Sequence, residues 1–263
     1  LLLILIMIDF TSWRFIDLSV NTCYMNMAID EALMILNSKN KSPNTLRLYR
    51  WSPSAISIGY FQGVNEEVNI KSCTDSHVDI VRRITGGGAV YHDYNGEITY
   101  SLILNENNSN VPSNVIECYK YLCQPIINSL NNIGINACFQ PINDIIVNNK
   151  KISGNAQTRR AGVVLQHGTI LIDVNVEKMF SLLNVESEKI RDKLIKSVKK
   201  RVTSVQAELN KNIDFNIFSQ NLRKTFSELF NVEFQNQTLT EEESNLAIQI
   251  CEKYSSEGWL YQR

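Results

Sequence analysis

A chain of 263 residues can form one large domain, or one domain with a small satellite, and buries enough surface to fold without disulfides or metals. Its 26 Lys and Arg against 27 Asp and Glu leave a formal charge of −1, which excludes a global basic field for holding nucleic acid. Hydrophobic residues at 44% and charged residues at 20% are ordinary for a soluble globular protein. Six cysteines, at 23, 73, 118, 123, 138 and 251, contain no CxxC pair, so free thiols in a reducing, cytoplasmic interior are expected. The opening LLLILIMI (1–8) is far shorter than the ~20 residues of a membrane span and has no basic leader, so no membrane partner is expected. It reads as a buried first strand, or as an extension upstream of a start at Met7.

Taken in chain order, Met25, Ala28, Ile29, Ala32, Leu33 and Leu36 recur at helical spacing and predict a helix over 25–36, with Asp30 and Glu31 on its other face. The β-branched runs TLRLYRW (45–51), AISIGYF (55–61), VDIVRR (78–83) and EITYSLIL (97–104) predict strands. Asn-rich 105–114 is an expected exposed loop. Asn114 then begins a helix to about Ile133, with Gly134 as its stop and Pro125 as a break or kink. A hairpin over 143–154 turns at Asn148-Asn149, GVVLQHGTILIDV (162–174) is a strand, and helical patterns run through 176–200, 214–230 and 239–253. The expected fold class is α/β: a mixed β-sheet flanked by helices over 1–205, followed by a mostly helical extension over 206–263.

The most informative segment is RRITGGGAVYHD (82–93). Three consecutive glycines after a strand let backbone N–H groups face a ligand with no Cβ in the way, and two arginines add planar donor forks suited to phosphate or carboxylate. Alone, the run is also consistent with a Gly-rich turn flanked by solvated arginines. Neither GxxxxGK[ST] nor GxGxxG occurs, which excludes a P-loop and a dinucleotide fingerprint. Asn143-Asp144 followed by KKISGNAQ (150–157) offers a lysine beside small residues, able to set an ammonium over an acyl phosphate; alone, it is a surface hairpin with solvated lysines. QHGT (166–169) puts His167 in a strand, where a lone histidine is more often a packing residue than a catalyst.

In this order, and together with NMAIDEAL (26–33), RLYRWSPSAISIGYFQ (47–62), RVTSV (201–205) and YSSEGW (254–259), these motifs resemble the lipoate-protein ligase family. The resemblance implies the class II biotin/lipoyl ligase fold, shared with biotin ligases and octanoyltransferases. It implies activation of lipoate, or octanoate, by ATP and Mg2+ to an acyl adenylate, with no permanently bound cofactor. The acyl group would pass to one lysine of the lipoyl domains of 2-oxoacid dehydrogenase complexes or of glycine cleavage H protein. Because single-chain ligases carry a further C-terminal domain, the resemblance also implies a separate small accessory ligase subunit.

Carried over by motif, Lys151 is the expected catalytic residue, stabilising charge on the acyl carbonyl and α-phosphate. Gly86, Gly87, Gly88 and Ala89 would line the cradle, and Arg83 would bind phosphate or carboxylate. Asn143 and Asp144 would take the nucleotide side, Asp144 with a magnesium ion. Tyr60, Phe61, Gln62 and His92 would shape the acyl tunnel and its mouth. Gly154, Ala156 and Thr169 would contribute to binding, while His167 would order the strand beside Lys151. The alternative is octanoyl transfer without ATP, from acyl carrier protein to the same lysine through a thioester on Cys138. WRFID (13–17) and AQTRRAGVVLQHG (156–168) lean that way, whereas FQPIND after Cys138 and the GGGAVYHD loop resemble the ligase form. KIRDKLIKSVKKR (189–201) is the one concentrated basic run; it is a solvated helix face by default, or a dock for an acidic lipoyl domain.

Overall fold

The computed structural model describes residues 13–107, 109–185 and 187–263; the apolar run 1–8 lies outside them. Its strands, in chain order, are β1 (Trp13–Asn21), β2 (Thr45–Trp51), β3 (Ala55–Ile58), β4 (Asp79–Arg82), β5 (Val90–His92), β6 (Glu97–Asn105), β7 (Ala137–Gln140), β8 (Asp144–Val147), β9 (Lys150–Arg160), β10 (Val163–Leu171) and β11 (Phe234–Asn236). The main sheet runs β11-β1-β2-β6-β10-β9-β8-β7, and β4-β3-β5 form a second, small sheet. β1 pairs parallel with both β11 and β2, and the rest of the main sheet is antiparallel. Every residue of β6 is buried, as expected of a central strand covered on both faces.

One face of the main sheet carries the helices Val115–Asn132 and Phe215–Phe230, packed through Leu122, Ile126, Leu222 and Phe226. The other carries Cys23–Ser38 and Glu241–Tyr254, packed through Ala28, Leu33, Ala247 and Tyr254. The fold is thus mixed α/β with helices on both sides of a sheet. The hairpin between β8 and β9 turns at Asn148 and Asn149, both at positive φ (49° and 62°), the geometry the Asn pair predicts.

Several local expectations are corrected. The helix Val115–Asn132 continues through Pro125; its apolar neighbours Leu122 and Ile126 are fully buried, and this packing outweighs the lost hydrogen bond. Asn114 caps it, accepting from the N–H groups of Ile116 and Glu117, and Gly134 at φ 91° ends it. The stretch 176–200 divides into helices Val176–Leu182 and Glu188–Lys199. The 55–61 strand stops at Ile58, where Gly59 turns the chain. Asp30, on the face away from the apolar stripe, is 2% exposed beneath β2 and β6.

Helix Glu241–Tyr254 is tied to the first strand by a buried fork. Arg14 donates from both terminal nitrogens to Glu243, at 2.7 and 2.8 Å, and also reaches Ser42 and Thr45. Burial alone would raise the Glu243 carboxyl, but hydrogen bonding and the Arg14 charge hold it below its ordinary value. Glu243→Ala strands a buried guanidinium and is expected to cost about 3–5 kcal/mol in urea unfolding. Lys41→Ala, which removes the exposed Lys41–Glu242 pair, is expected to cost under about 1 kcal/mol.

Candidate active site

The small sheet and the main sheet enclose a cavity of about 290 Å³. Its floor is a cross-strand row on one face of the main sheet: Tyr49, Thr99, Thr169 and Gly154, in register across β2, β6, β10 and β9. The row continues to Asp144 on β8 and Gln140 on β7. Its roof is the glycine loop between β4 and β5, and its apolar side includes Val174, Val176, Met179, Val198 and Val202.

Gly87 sits at φ 98°, a conformation that L side chains rarely adopt, and Gly87 and Gly88 are exposed toward the opening. From below, Gly59 touches the loop so closely that a Cβ there would stand 2.0 Å from the Gly87 carbonyl oxygen. Gly59→Ala must therefore displace the loop. Its expected result is a roughly 10²-fold loss of activity with unchanged circular dichroism, since a shift of about 1 Å has that effect on positioned groups; an unaltered rate would refute the support role.

Arg83 braces the same loop from inside. Its guanidinium donates to the carbonyls of Gly86 and Gly88, each at 2.8 Å, and to that of Ser57 at 2.9 Å. Burial lowers its pKa to about 10. His92 is held by Glu97 at Nδ1 (2.6 Å) and Ser57 at Nε2 (2.8 Å), and stacks on Trp51 at 3.9 Å. His167 bridges Thr85 Oγ1, 2.7 Å from Nε2, and Asp30, 3.5 Å from Nδ1. Burial lowers the His167 pKa, with Asp30 opposing it, so a neutral imidazole joins the loop to helix Cys23–Ser38. Burial would raise Asp30, yet its hydrogen bond with His167 and the Arg47 charge hold it low.

Lys151 enters from β9. Its backbone N–H donates to the Arg201 carbonyl at 2.7 Å, and its carbonyl accepts from Thr203 at 2.8 Å, so the RVT segment straps it. The ammonium lies 2.7 Å from Asp144 Oδ1, an ion pair without hydrogen-bond alignment. A Cβ on Gly154 would meet Lys151 Cε and Nζ at 2.7 Å, so the glycine makes room for this side chain. Asn143 and Asn155 exchange side-chain to main-chain hydrogen bonds beside it, and Tyr100 holds Asn155 Oδ1 at 2.6 Å.

The cavity brings together Arg83, Gly87, Gly88, Ala89, His92, Asn143, Lys151, Gly154, Ala156, His167 and Thr169. Gly86 and Asp144 stand just outside its lining, in contact with Arg83 and Lys151. Tyr60, Phe61 and Gln62 do not line it: Phe61 is 72% exposed, Tyr60 packs edge-on against it, and Gln62 accepts from the Gly59 N–H at 2.8 Å. The magnesium expected on Asp144 would meet a carboxylate already paired with Lys151. Among the described residues, no three His, Cys, Asp or Glu side chains gather as a metal site. Sequence reasoning passed over Gly59, Asp30, Thr85 and Asn155; an aspartate beside the apolar stripe of 25–36 was the available signal for one of them.

Cys138 is exposed on edge strand β7 and lies outside the cavity lining. Register sets it opposite Ile146 on β8, which pairs with Lys151 on β9. All three share the cavity face, because Ala137, Phe139, Ile145 and Val147 turn to the opposite core.

Residues 22–227 match the family model of the lipoyl protein ligase A/B catalytic domain. The chain is 36% identical over 270 residues to octanoyltransferase LipM of Clostridioides difficile, covering 95% of this chain and 99% of that one. It is 34% identical over 275 residues to octanoyltransferase LipM of Brevibacillus brevis, with the same coverage. A bi-partite lipoate protein ligase of Thermoplasma acidophilum, studied with its E2 lipoyl domain, superposes with a TM-score of 0.84 at 30% identity, covering 95% of this chain and 96% of that one. The expected ATP-dependent, adenylate-forming ligase is overturned by the relatives at 32–36% identity, which are octanoyltransferases. The expected use of ATP loses its support with that reading. No helix among the described residues is long and apolar enough to cross a membrane.

Proposed function

The chain belongs to the lipoyl protein ligase A/B catalytic-domain family and is an acyl-transfer enzyme, and on that premise we propose that it moves octanoate from acyl carrier protein to a lysine of a lipoyl domain or H protein through Cys138. The observation that supports this most is the exposed Cys138 thiol in the Cys138–Ile146–Lys151 row, two strand spacings (about 10 Å) from Lys151 on the cavity face.

The chemistry needs no nucleotide, because a carrier thioester is already an activated acyl donor. The Cys138 thiolate attacks the thioester carbonyl, the carrier thiolate leaves and takes up a proton, and an acyl-enzyme thioester remains. The neutral acceptor amine then attacks that carbonyl, an amide forms, Cys138 leaves as thiolate, and the amine's extra proton passes to it or to solvent. Lys151 supplies a fixed positive charge for the carbonyl oxygen that turns anionic in both steps. The apolar side of the cavity takes the eight-carbon chain. An accessory adenylation subunit has no task in this scheme.

The test is intact-mass analysis of a lipoyl domain incubated with enzyme and octanoyl-carrier protein, without ATP. An octanoyl mass shift on the acceptor, preceded by the same shift on the enzyme, is expected. Acylation that occurs only with free acid and ATP would sink the reading.

A further inference from the structure

The basic run 189–201 forms an exposed ridge beside the cavity. Residues 188–201 hold seven Lys and Arg against two acidic residues, in a chain of net charge −1. Lys189, Lys193 and Lys196 lie on helix Glu188–Lys199, and Lys200 extends it in αR geometry. Their spacing of four, three and four residues puts all four on one stripe about 16 Å long. All four are exposed, and none is ion-paired among the described residues; the neighbouring Lys199 is paired with Glu177. The stripe lies on the outer face of this helix, opposite Val198, which lines the cavity; only its C-terminal end comes near the site, where Val202 lines the cavity and the Arg201 carbonyl accepts from the Lys151 N–H.

We infer that this lysine stripe docks the acyl donor, an acidic carrier protein whose thioester hangs on a phosphorylated arm; the inference rests on the octanoyl-transfer reading. Four like charges on neighbouring turns, with Cβ atoms about 5–6 Å apart from one to the next, repel one another and favour a partner that brings the opposite sign along the same line. The donor suits both ends. Its acidic surface faces Lys189, Lys193 and Lys196, while the phosphate of its arm meets Lys200 and Arg201 at the rim. The acceptor suits the rim less, because its reacting group is an amine that arrives largely as a cation.

The test compares wild type with the variant carrying Lys189→Glu, Lys193→Glu, Lys196→Glu and Lys200→Glu, and with the matching set of four Gln substitutions. Each is assayed with octanoyl-carrier protein and with octanoyl-pantetheine, a small donor without phosphate. For the Glu set, the KM for the carrier is expected to rise roughly tenfold or more at low salt, with the Gln set intermediate. The difference is expected to shrink at high salt as the screening length contracts. Rates with octanoyl-pantetheine and the KM for the lipoyl domain are expected to stay at wild-type values. An unchanged carrier KM, an equal loss with both donors, or a rise confined to the lipoyl-domain KM would each overturn the inference. A wild-type enzyme inert toward octanoyl-carrier protein would instead remove the octanoyl-transfer reading, and this inference with it.

Discussion

Cys138→Ala is expected to abolish octanoyl transfer, with the steady-state rate down by about 10³-fold or more and no acyl-enzyme visible by intact mass. Loss of a covalent nucleophile removes the step that everything downstream needs. The other thiols make poor substitutes. Burial pushes Cys73 up to about 11 and raises Cys23, Cys118 and Cys123, and also the half-buried Cys251, so all remain protonated near neutrality. Cys138 is the one exposed thiol among the described residues. Because its side chain leaves the edge strand toward solvent, the variant should unfold at the wild-type urea midpoint. Full activity in Cys138→Ala would refute the thioester route.

Lys151→Ala is expected to lower kcat by about 10²–10³-fold while changing the KM of the carrier little. Removing one preplaced donor from a developing oxyanion has an effect of that size. The site is built around this ammonium: Gly154 leaves room for its tip, Asp144 pairs with it, and the Arg201 and Thr203 backbones fix its strand. Asp144→Asn keeps the cation but releases its partner, and a loss of about tenfold is expected. A rise in KM without a fall in kcat for Lys151→Ala would mean that the lysine binds donor but does not act on the carbonyl.

Much of this site was legible because its residue types answer to strong local physics. Three glycines in a row, and an Asn pair between two strands, announce backbone conformations that other residues resist, and the structure has positive φ at Gly87, Asn148 and Asn149. Helix Cys23–Ser38 followed from apolar spacing, and helix Val115–Asn132 from its Asn cap and glycine stop. What escaped depends on tertiary neighbours. β11 is three residues long and exists only because β1 offers an edge, so Phe234–Asn236 carries no periodic signal. Pro125 is accommodated by burial on its flanks, which propensity does not see. Arg83 reads as an anion receptor until its hydrogen bonds to Gly86, Gly88 and Ser57 are known. Ligase and transferase were hardest to separate, because Asn143-Asp144 and the GGGAVYHD loop look like the one and the stretch around Cys138 draws on both. Whole-chain similarity overturned the ligase reading that the motifs favoured.

The pairing of β1 with β11, and of Arg14 with Glu243 across 229 positions, also has a meaning in time. A ribosome adding roughly 5–20 residues per second delivers Glu243 at least about ten seconds after Arg14. Throughout that interval β1 is an unfinished border with free main-chain groups, the kind of surface that recruits strands from other molecules. Native closure of this sheet therefore waits for residues 234–243 to be made, governed by its longest contact rather than by its helices. Yield in the cell should accordingly follow how well nascent β1 is shielded.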